Sequence, residues 1–489
     1  MNITIGIGII LSFYAILQQF GIDPFNISDI DMASGRSFAT AGHPNFLGQF
    51  LIFPIITLFV RIMKNAGGTK KILLTTALLF TFTGLLTTFN RASILGILLA
   101  ICFLKLYKTS GKKRLKFVII GLFLTIITAS MLTYTGGLRS LNSRINLLQP
   151  IGALLIENPI FGSGIETFYK TYQKVATKEI YLTENLYDIP DRIHNEPLQV
   201  LLDQGAIGFL LYLMTIIFLI WIFIKHKLQT DNQITAYFAI LAYLISMQFS
   251  FSLSLHMIFL LGMWAVLFAD KNLGKQAFKV KTFKIPEKII IWLLKPAALL
   301  LCIFYMYTAV SMLYADIYFA KGMKSYLKSS TEAEQFFAES LSLNPNSRYY
   351  LYNAANLLMG NTETLARLGK ITNDGYHYDI AIANYLGKNG DLKGANKHFE
   401  IAAKKAPNWP LIWQMWGDFL FEEKMYTDAI TKYEKLINLA PPYWKWPEKY
   451  RIFKKNHELF FISLQRLNKA YKELGDTRKS HELESYIFQ

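Results

Sequence analysis

The sequence is poor in cysteine and in charged residues. Its 489 residues include two cysteines, Cys102 and Cys302, and both lie in apolar stretches. These positions exclude a disulfide framework and a cysteine-based metal site. Only 17% of the residues are charged, whereas 52% are hydrophobic, and the mean hydropathy is +0.27. Because soluble domains carry more charge than this, the composition indicates a polytopic membrane protein with an attached soluble part.

Long apolar runs predict the transmembrane helices. A helix needs ~20 apolar residues to cross a bilayer core, and about nine runs approach or reach that length. They are 3–20, 46–63, 72–88, 92–107, 117–134, 206–224, 234–249, 251–269 and 287–310. The first run has no basic segment before it and no Ala-x-Ala-like cleavage site, so we interpret it as a retained helix. The predicted fold is all-α, with a transmembrane bundle over 1–310 and a helical repeat domain over 311–489.

The positive charge is unevenly distributed along the chain. The net charge of +17 would suit a nucleic-acid-binding protein, but Lys and Arg concentrate in alternate connections between the apolar runs, at 61–71, 105–116, 225–227 and 271–288. Such connections face the cytoplasm in membrane proteins. We therefore predict a cytoplasmic N-terminus, an extracytoplasmic 135–205 loop and an extracytoplasmic C-terminal domain, with no nucleic-acid partner.

An internal repeat is visible in the C-terminal part. Four residues recur 34 positions later with similar character: Ala395, Phe399, Ala402 and Pro407 correspond to Ala429, Tyr433, Leu436 and Pro441. The spacing resembles that of tetratricopeptide repeats. Each helix pair of such an array exposes an apolar side that only a neighbour covers, and the array forms a concave surface. We expect this surface to dock a partner molecule, such as a protein.

One histidine stands where a polar segment meets an apolar one. His194 is the only histidine in the 135–205 loop and precedes the apolar stretch 209–224. A lone histidine is more often structural than catalytic, yet its unperturbed pKa near ~6.5 suits a general base at neutral pH. Its neighbours have no convincing metal-ligand spacing. His194 is therefore a candidate base, with Asn195 beside it as a candidate binding residue.

Four arginines are candidates for binding an anion. Arg91 lies between two apolar runs, Arg139 and Arg144 open the 135–205 loop, and Arg36 precedes the second run. Each has an ordinary explanation as a residue that reaches from a helix end to the interface or as a solvated loop residue. Guanidinium groups also match phosphate oxygens in a bidentate manner.

Two further segments have both a plain and a functional interpretation. Asn45 follows His43-Pro44 at the start of the second run and would serve as a helix cap. Gly162 and Gly164 form a turn after Asn158-Pro159, and glycine turns bring backbone N–H groups close to phosphate. A plain turn is the simpler interpretation of the glycines.

These segments together resemble the O-antigen ligase/O-antigen polymerase family of bacterial membrane glycosyltransferases. The resemblance is carried by five segments: Arg36 with His43-Pro44-Asn45, Thr88-Phe89-Asn90-Arg91-Ala92, Arg144, Glu157 to Gly164, and His194-Asn195 with Leu198, Gln199, Leu202, Gly205 and Gly208. It covers about 36–270. The family usually has Ser and Gly where this chain has Asn90 and Ala92.

The resemblance implies a fold, a reaction and roles for the candidate residues. The fold would be a GT-C-like bundle. The reaction would transfer a glycan from an undecaprenyl-diphosphate carrier to a glycan, lipid or protein acceptor, with no metal and no other cofactor. His194, Arg91 and Arg144 would be catalytic. The donor and its glycan would be bound by the remaining candidates, which are Arg36, Arg139, Asn45, Gly162, Gly164 and Asn195.

The sequence is also compatible with other functions. A protein O-oligosaccharyltransferase would share the same motifs. A polyprenyl-glycan transporter would need charges inside its helices, and the apolar runs here contain almost none. A membrane scaffold with an inactive transferase domain is the third alternative, and the substitutions at Asn90 and Ala92 keep it open.

Overall fold

The structure is a computed structural model that describes residues 1–24, 35–64, 67–109, 137–165, 167–183, 190–225, 228–252, 254–269, 292, 295–326, 330–358, 362–372, 375–440 and 458–487. Within these ranges every regular element is a helix, which confirms the all-α prediction for this part of the chain. The predicted apolar run at 117–134 lies outside the described residues.

The chain divides into two compact units. The first comprises Met1–Gly137, His194–Val200 and Gly208–Ala320, and the second comprises Leu138–Ile193, Leu201–Ile207 and Lys321–Gln489. Eight of the described helices lie wholly or mainly in the first unit: α1 (Asn2–Gln19), α2 (Pro44–Lys64), α3 (Gly68–Thr87), α4 (Arg91–Lys108), α9 (Glu196–Lys225), α10 (Asp231–Met247), α11 (Ser254–Phe268) and α12 (Lys295–Tyr326).

The second unit combines loop helices with the C-terminal helices. The loop helices are α5 (Gly137–Leu148), α6 (Ile151–Glu157), α7 (Phe168–Val175) and α8 (Lys178–Thr183). The C-terminal helical region consists of α13 (Ser330–Leu343), α14 (Arg348–Leu358), α15 (Thr362–Thr372), α16 (Tyr376–Lys388), α17 (Leu392–Lys405), α18 (Pro410–Glu422), α19 (Tyr426–Leu439), α20 (Glu458–Glu473) and α21 (Thr477–Ile487). The 135–205 loop therefore groups mainly with this region.

Helices of the first unit are long and apolar, as a membrane requires. Five described helices could cross a bilayer by length and composition: Asn2–Gln19, Pro44–Lys64, Gly68–Thr87, Glu196–Lys225 and Lys295–Tyr326. A shorter apolar helix covers His256–Phe268. On α9 the exposed apolar side chains recur every three to four residues, as on a lipid-facing helix surface: Leu210, Leu211, Met214, Ile217, Ile220 and Ile224. These features support a multi-pass membrane protein.

Small residues bring the helices of the first unit close together. A Cβ atom on Gly96 of α4 would overlap the Ala242 carbonyl oxygen of α10, and Ser93 Oγ lies 3.4 Å from Ser246 Oγ one turn away. Gly84 of α3 similarly packs against Ser12 of α1. Lipid provides no hydrophobic driving force between helices, so close van der Waals contact and hydrogen bonds hold such bundles together.

The C-terminal helices repeat at the interval that the sequence predicts. Helix α16 (Tyr376–Lys388) is followed 34 residues later by α18 (Pro410–Glu422), and α17 is followed at the same interval by α19. The recurring apolar residues are buried in both repeats, Ala395 and Phe399 in the first repeat and Ala429 and Tyr433 in the second. The repeat therefore follows from the burial of equivalent faces.

Helix α9 is broken near its beginning by a glycine. Gly205 has φ +66° and ψ −164°, a conformation that excludes most other residues. The break leaves backbone N–H groups without helical partners, and the turn at 158–164 supplies carbonyl groups for them. Ala206 N–H donates to Pro159 O at 2.9 Å, and Ile207 N–H donates to Ile160 O at 3.3 Å. A Cβ atom on Gly205 would overlap the Ile160 carbonyl.

We predict that Gly205→Ala destabilises the protein by about 1–3 kcal/mol, because both the backbone angle and the space require glycine. Thermal unfolding of the purified protein in detergent would show the loss as a lower Tm. Gly152→Ala is the matched control, since Gly152 is helical and has no atom within 4 Å of an added Cβ. Equal Tm values for the two variants would contradict the assigned role of Gly205.

Candidate functional site

The ends of several helices meet in the first unit, and side chains satisfy their backbone groups there. Gln18, near the end of α1, is buried, and its Oε1 accepts hydrogen bonds from Phe38 N–H at 3.1 Å and Ala39 N–H at 2.7 Å. Ser37 N–H donates to Thr87 O at the end of α3 at 3.0 Å. The 36–39 segment is thereby fixed between α1 and α3.

Arg36 is held by two fixed acceptors. Its Nε donates to Thr88 O at 2.9 Å, where α3 ends, and its Nη2 donates to Asn45 Oδ1 at 2.7 Å. The first contact satisfies a terminal helix carbonyl. The second contact joins Arg36 to the first turn of α2. The guanidinium is half-buried, so its orientation is set by these two hydrogen bonds.

Asn45 and Asn90 connect the starts of α2 and α4. Asn90 is buried and caps α4, because its Oδ1 accepts from Ser93 N–H at 3.1 Å. Its Nδ2 donates to Asn45 O at 2.8 Å. Asn90 therefore both caps α4 and joins it to the start of α2.

Arg91 occupies the first position of α4. A cation is unfavourable there, because the positive end of the helix dipole favours anions. The side chain is partly exposed. Its position next to the Asn90 cap places a positive side chain at a helix N-terminus, which is an arrangement that suits binding of an anionic ligand.

The His194 segment is fastened to the connection between α10 and α11. Asn195 caps α9 through Leu198 N–H at 3.0 Å, and its Nδ2 donates to Gln248 O at 2.9 Å. Glu196 Oε2 accepts from Ser252 N–H at 2.8 Å. The amide of Asn195 therefore already has protein partners on both sides, and the half-buried His194 precedes two firmly held residues.

Rings connect His194 to the Arg36 network. The His194 ring centroid lies 5.3 Å from that of Phe251, which lies 5.5 Å from Phe46, which in turn lies 5.1 Å from His43. His43 Nδ1 accepts from Asn45 N–H at 3.1 Å. The structure thus brings His194, Asn45 and Arg36 into one continuous set of contacts, although they are far apart in sequence.

Unusual backbone angles occur in the same segments. Among the described residues, positive φ angles outside glycine occur at Ala39, Phe89, His194 and Lys424, with values of 48°, 49°, 59° and 58°. Three of these four residues belong to the segments just described. Such conformations cost roughly 1–3 kcal/mol each and cluster at functional sites, so this concentration favours a functional assignment.

The remaining predicted residues lie in the second unit. Arg144 is half-buried on α5, and the side chain of Arg139 is outside the described residues. The N–H groups of Gly162 and Gly164 donate to Asn158 O and Asp203 O, both at 2.9 Å. These N–H groups are therefore engaged within the protein. Gly162 also packs closely against Asp203 and Gln204, just before the break at Gly205.

Sequence reasoning missed two residues that shape the site. A Cβ atom on Gly48 would lie 2.6 Å from Asn90 Cβ, so only glycine lets Asn90 reach α2. His256 is fully buried on α11, and its Nε2 lies 2.9 Å from Phe46 O. Gly48 follows Asn45 by three residues, and His256 is a polar residue within an apolar run. Both positions stand out in the sequence, but the sequence does not show that Gly48 packs against Asn90 or that His256 contacts Phe46.

Charge at the site favours an anion. The segments described above carry the guanidinium groups of Arg36 and Arg91 and the carboxylate of Glu196, which accepts a hydrogen bond from Ser252 N–H. Among the residues that the structure describes, no group of three or more His, Cys, Asp or Glu side chains is arranged to hold a metal ion.

The apolar helices indicate a multi-pass membrane protein, and its candidate site contains arginine and histidine side chains where helix ends meet. Residues 76–213 match the family described as O-antigen ligase. This region includes Arg91, Arg144 and His194. The match supports a membrane glycan-transferring function of the glycosyltransferase type, with a lipid-linked glycan donor and an acceptor in the membrane. No curated protein is similar enough to the chain to count as a match.

We predict that Gly48→Ala separates Asn90 from Asn45, because the new methyl group would overlap the Asn90 side chain. Overpacking of this kind costs about 1–3 kcal/mol, which a lower Tm in detergent would show. Gly262→Ala on α11 is the control, since an added Cβ meets no atom within 4 Å there. The packing role of Gly48 would be refuted if both variants unfolded at the wild-type temperature.

Proposed function

We propose that the protein transfers a glycan from an undecaprenyl-diphosphate carrier to an acceptor hydroxyl at the outer face of the bacterial cytoplasmic membrane. The observation that carries this proposal is the set of contacts linking His194 with the Arg36–Asn45–Asn90 network. It joins a titratable ring to a fixed guanidinium, and Arg91 and His194 fall within the region that matches the O-antigen ligase family.

The proposed reaction gives each group a definite task. The acceptor oxygen attacks the anomeric carbon of the donor glycan, and the bond from that carbon to the diphosphate oxygen breaks. The lipid diphosphate leaves with the bonding electron pair, and the acceptor proton passes to His194. Negative charge develops on the departing diphosphate, so fixed hydrogen-bond donors aimed at it lower the barrier.

Arg91 is the proposed catalytic donor to the diphosphate in the first unit. It lies at the start of α4, where the backbone dipole also favours an anion. Arg36 is the proposed binding residue, because its two hydrogen bonds fix the orientation of its guanidinium. Asn45 and Asn195 support these groups through their hydrogen bonds. Arg144 is proposed as the second catalytic arginine, and Arg139 as a further binding residue.

The proposal also covers membrane topology and the C-terminal helical region. The distribution of Lys and Arg supports a cytoplasmic N-terminus, which would put the 135–205 loop and the C-terminal helical region outside the cytoplasm. The 34-residue interval between helix pairs supports a tetratricopeptide-type array. We propose that the reaction requires no metal, because arginine side chains can meet the charge of the leaving diphosphate.

We predict that His194→Ala and Arg91→Ala each lower transfer by at least 100-fold, since general-base and electrostatic groups typically contribute about 10²–10⁴-fold. The measurement is the surface glycan profile of a deletion strain that carries wild type or a variant. Arg61→Ala serves as the matched arginine control, because Arg61 lies near the opposite end of α2. Membrane levels of each variant must equal those of wild type.

The same profile separates the possible reactions. Chains that collapse to a single repeat unit would identify a polymerase, and full-length chains left on the carrier would identify a ligase for a lipid or protein acceptor. A wild-type profile in both His194→Ala and Arg91→Ala would refute the proposed roles and favour a scaffold.

A further inference from the structure

Part of the 135–205 loop packs directly on the C-terminal helical region within the second unit. The Tyr376 hydroxyl of α16 donates to Tyr169 O of α7 at 3.4 Å, and the Tyr169 ring lies 6.2 Å from the His377 ring. Asn408 Nδ2, between α17 and α18, donates to Lys174 O at 3.3 Å. These contacts join residues more than 200 positions apart.

This docking surface is aromatic and well buried. Tyr376 and Trp409 are each 1% exposed, with ring centroids 5.1 Å apart, and Tyr169 on the loop side is 7% exposed. His377 stacks on Tyr376 at 4.2 Å and meets the edge of Tyr352 at 4.7 Å. These ring pairs shape the surface on the C-terminal side, and the Tyr169–His377 pair connects that surface to α7.

The contacts continue from α7 towards Arg144. The Tyr181 hydroxyl of α8 donates to Gln173 Oε1 of α7 at 2.8 Å, and both side chains are buried. Asn146 Nδ2 of α5 donates to Glu179 O of α8 at 3.0 Å. Asn146 is buried and lies two residues after Arg144 on the same helix. A packed route therefore leads from the C-terminal helices to the helix that carries Arg144.

We propose that the C-terminal helical region binds the chain's own loop and acts as the frame that positions Arg144. The sequence-based expectation was that a concave repeat surface would dock a separate partner. At the surface formed by Tyr376, His377, Asn408 and Trp409, the occupant is instead helix α7. The consequence for transfer rests on the proposed function, in which Arg144 meets the leaving diphosphate, whereas the docking itself does not.

Cross-linking in the membrane tests the docking without measuring any reaction. In a full-length protein with Cys102→Ala and Cys302→Ala, we expect Lys174→Cys with Asn408→Cys to be joined by a short bis-maleimide. Lys174→Cys with Lys479→Cys is the matched control, because Lys479 is exposed on α21 and pairs with Glu434. Efficient cross-linking of the first pair alone supports docking. Equal cross-linking of both pairs, or none in the first, overturns it.

Removal of the loop's anchoring ring tests the positioning. We expect Tyr169→Ala to lower the rate of glycan transfer per protein molecule by about tenfold, because a displacement near 1 Å can cost ~100-fold. Tyr471→Ala is the control, since Tyr471 is a buried tyrosine on α20 that bonds Glu434. We expect its rate to stay within twofold of wild type.

Rescue distinguishes positioning from misfolding. In the background with Lys174→Cys and Asn408→Cys, cross-linking should restore most of the rate that Tyr169→Ala loses, since the covalent link replaces the lost anchor. A full rate in Tyr169→Ala before cross-linking, or a loss that cross-linking does not repair, overturns the positioning role. If wild type itself transfers no glycan, the proposed function fails, and the cross-linking result still decides the docking.

Discussion

Helix ends impose the constraint on which the first unit depends. Each α-helix leaves terminal N–H and C=O groups unpaired, and next to a bilayer core such groups must find partners within the protein. Here side chains provide them: Arg36 donates to the carbonyl of Thr88, the C-cap of α3, and Asn195 donates to the carbonyl of Gln248, the C-cap of α10, while Gln18 accepts from the loop N–H groups of residues 38 and 39. The candidate site is therefore built from groups that also complete the helices.

The side chains of the candidate site are held by hydrogen bonds to helix ends as well as by packing. Arg36 cannot rotate without abandoning both Thr88 O and Asn45 Oδ1. Asn90 cannot move without losing the cap of α4. Fixed donors of this kind stabilise developing charge without having to reorganise during a reaction. The strained φ angles at Phe89 and His194 are sustained because the neighbouring residues are held by several hydrogen bonds.

In the second unit, packing contacts order the described part of the 135–205 loop. Loops of this length are usually held by packing against other elements, and the described part of this loop folds into short helices. The glycine turn at 158–164 closes on the break at Gly205, and α7 rests on the aromatic residues of the C-terminal helical region. Both contacts use backbone carbonyls as acceptors, and at α7 the donors are the Tyr376 hydroxyl and the Asn408 side-chain amide.

The sequence by itself determined the class of protein and the periodic elements. Apolar runs predicted the long helices because burial in lipid requires them, and the 34-residue interval predicted the helix pairs because equivalent faces must be buried in each pair. The roles of Arg91, Arg144 and His194 remain predictions. Tertiary structure alone decided that Asn45 joins Arg36 to Asn90, that Gly48 makes room for this, and that α7 packs on the C-terminal helices. These contacts join residues distant in the chain, and they depend on how helices pack in three dimensions, which local periodicity does not specify.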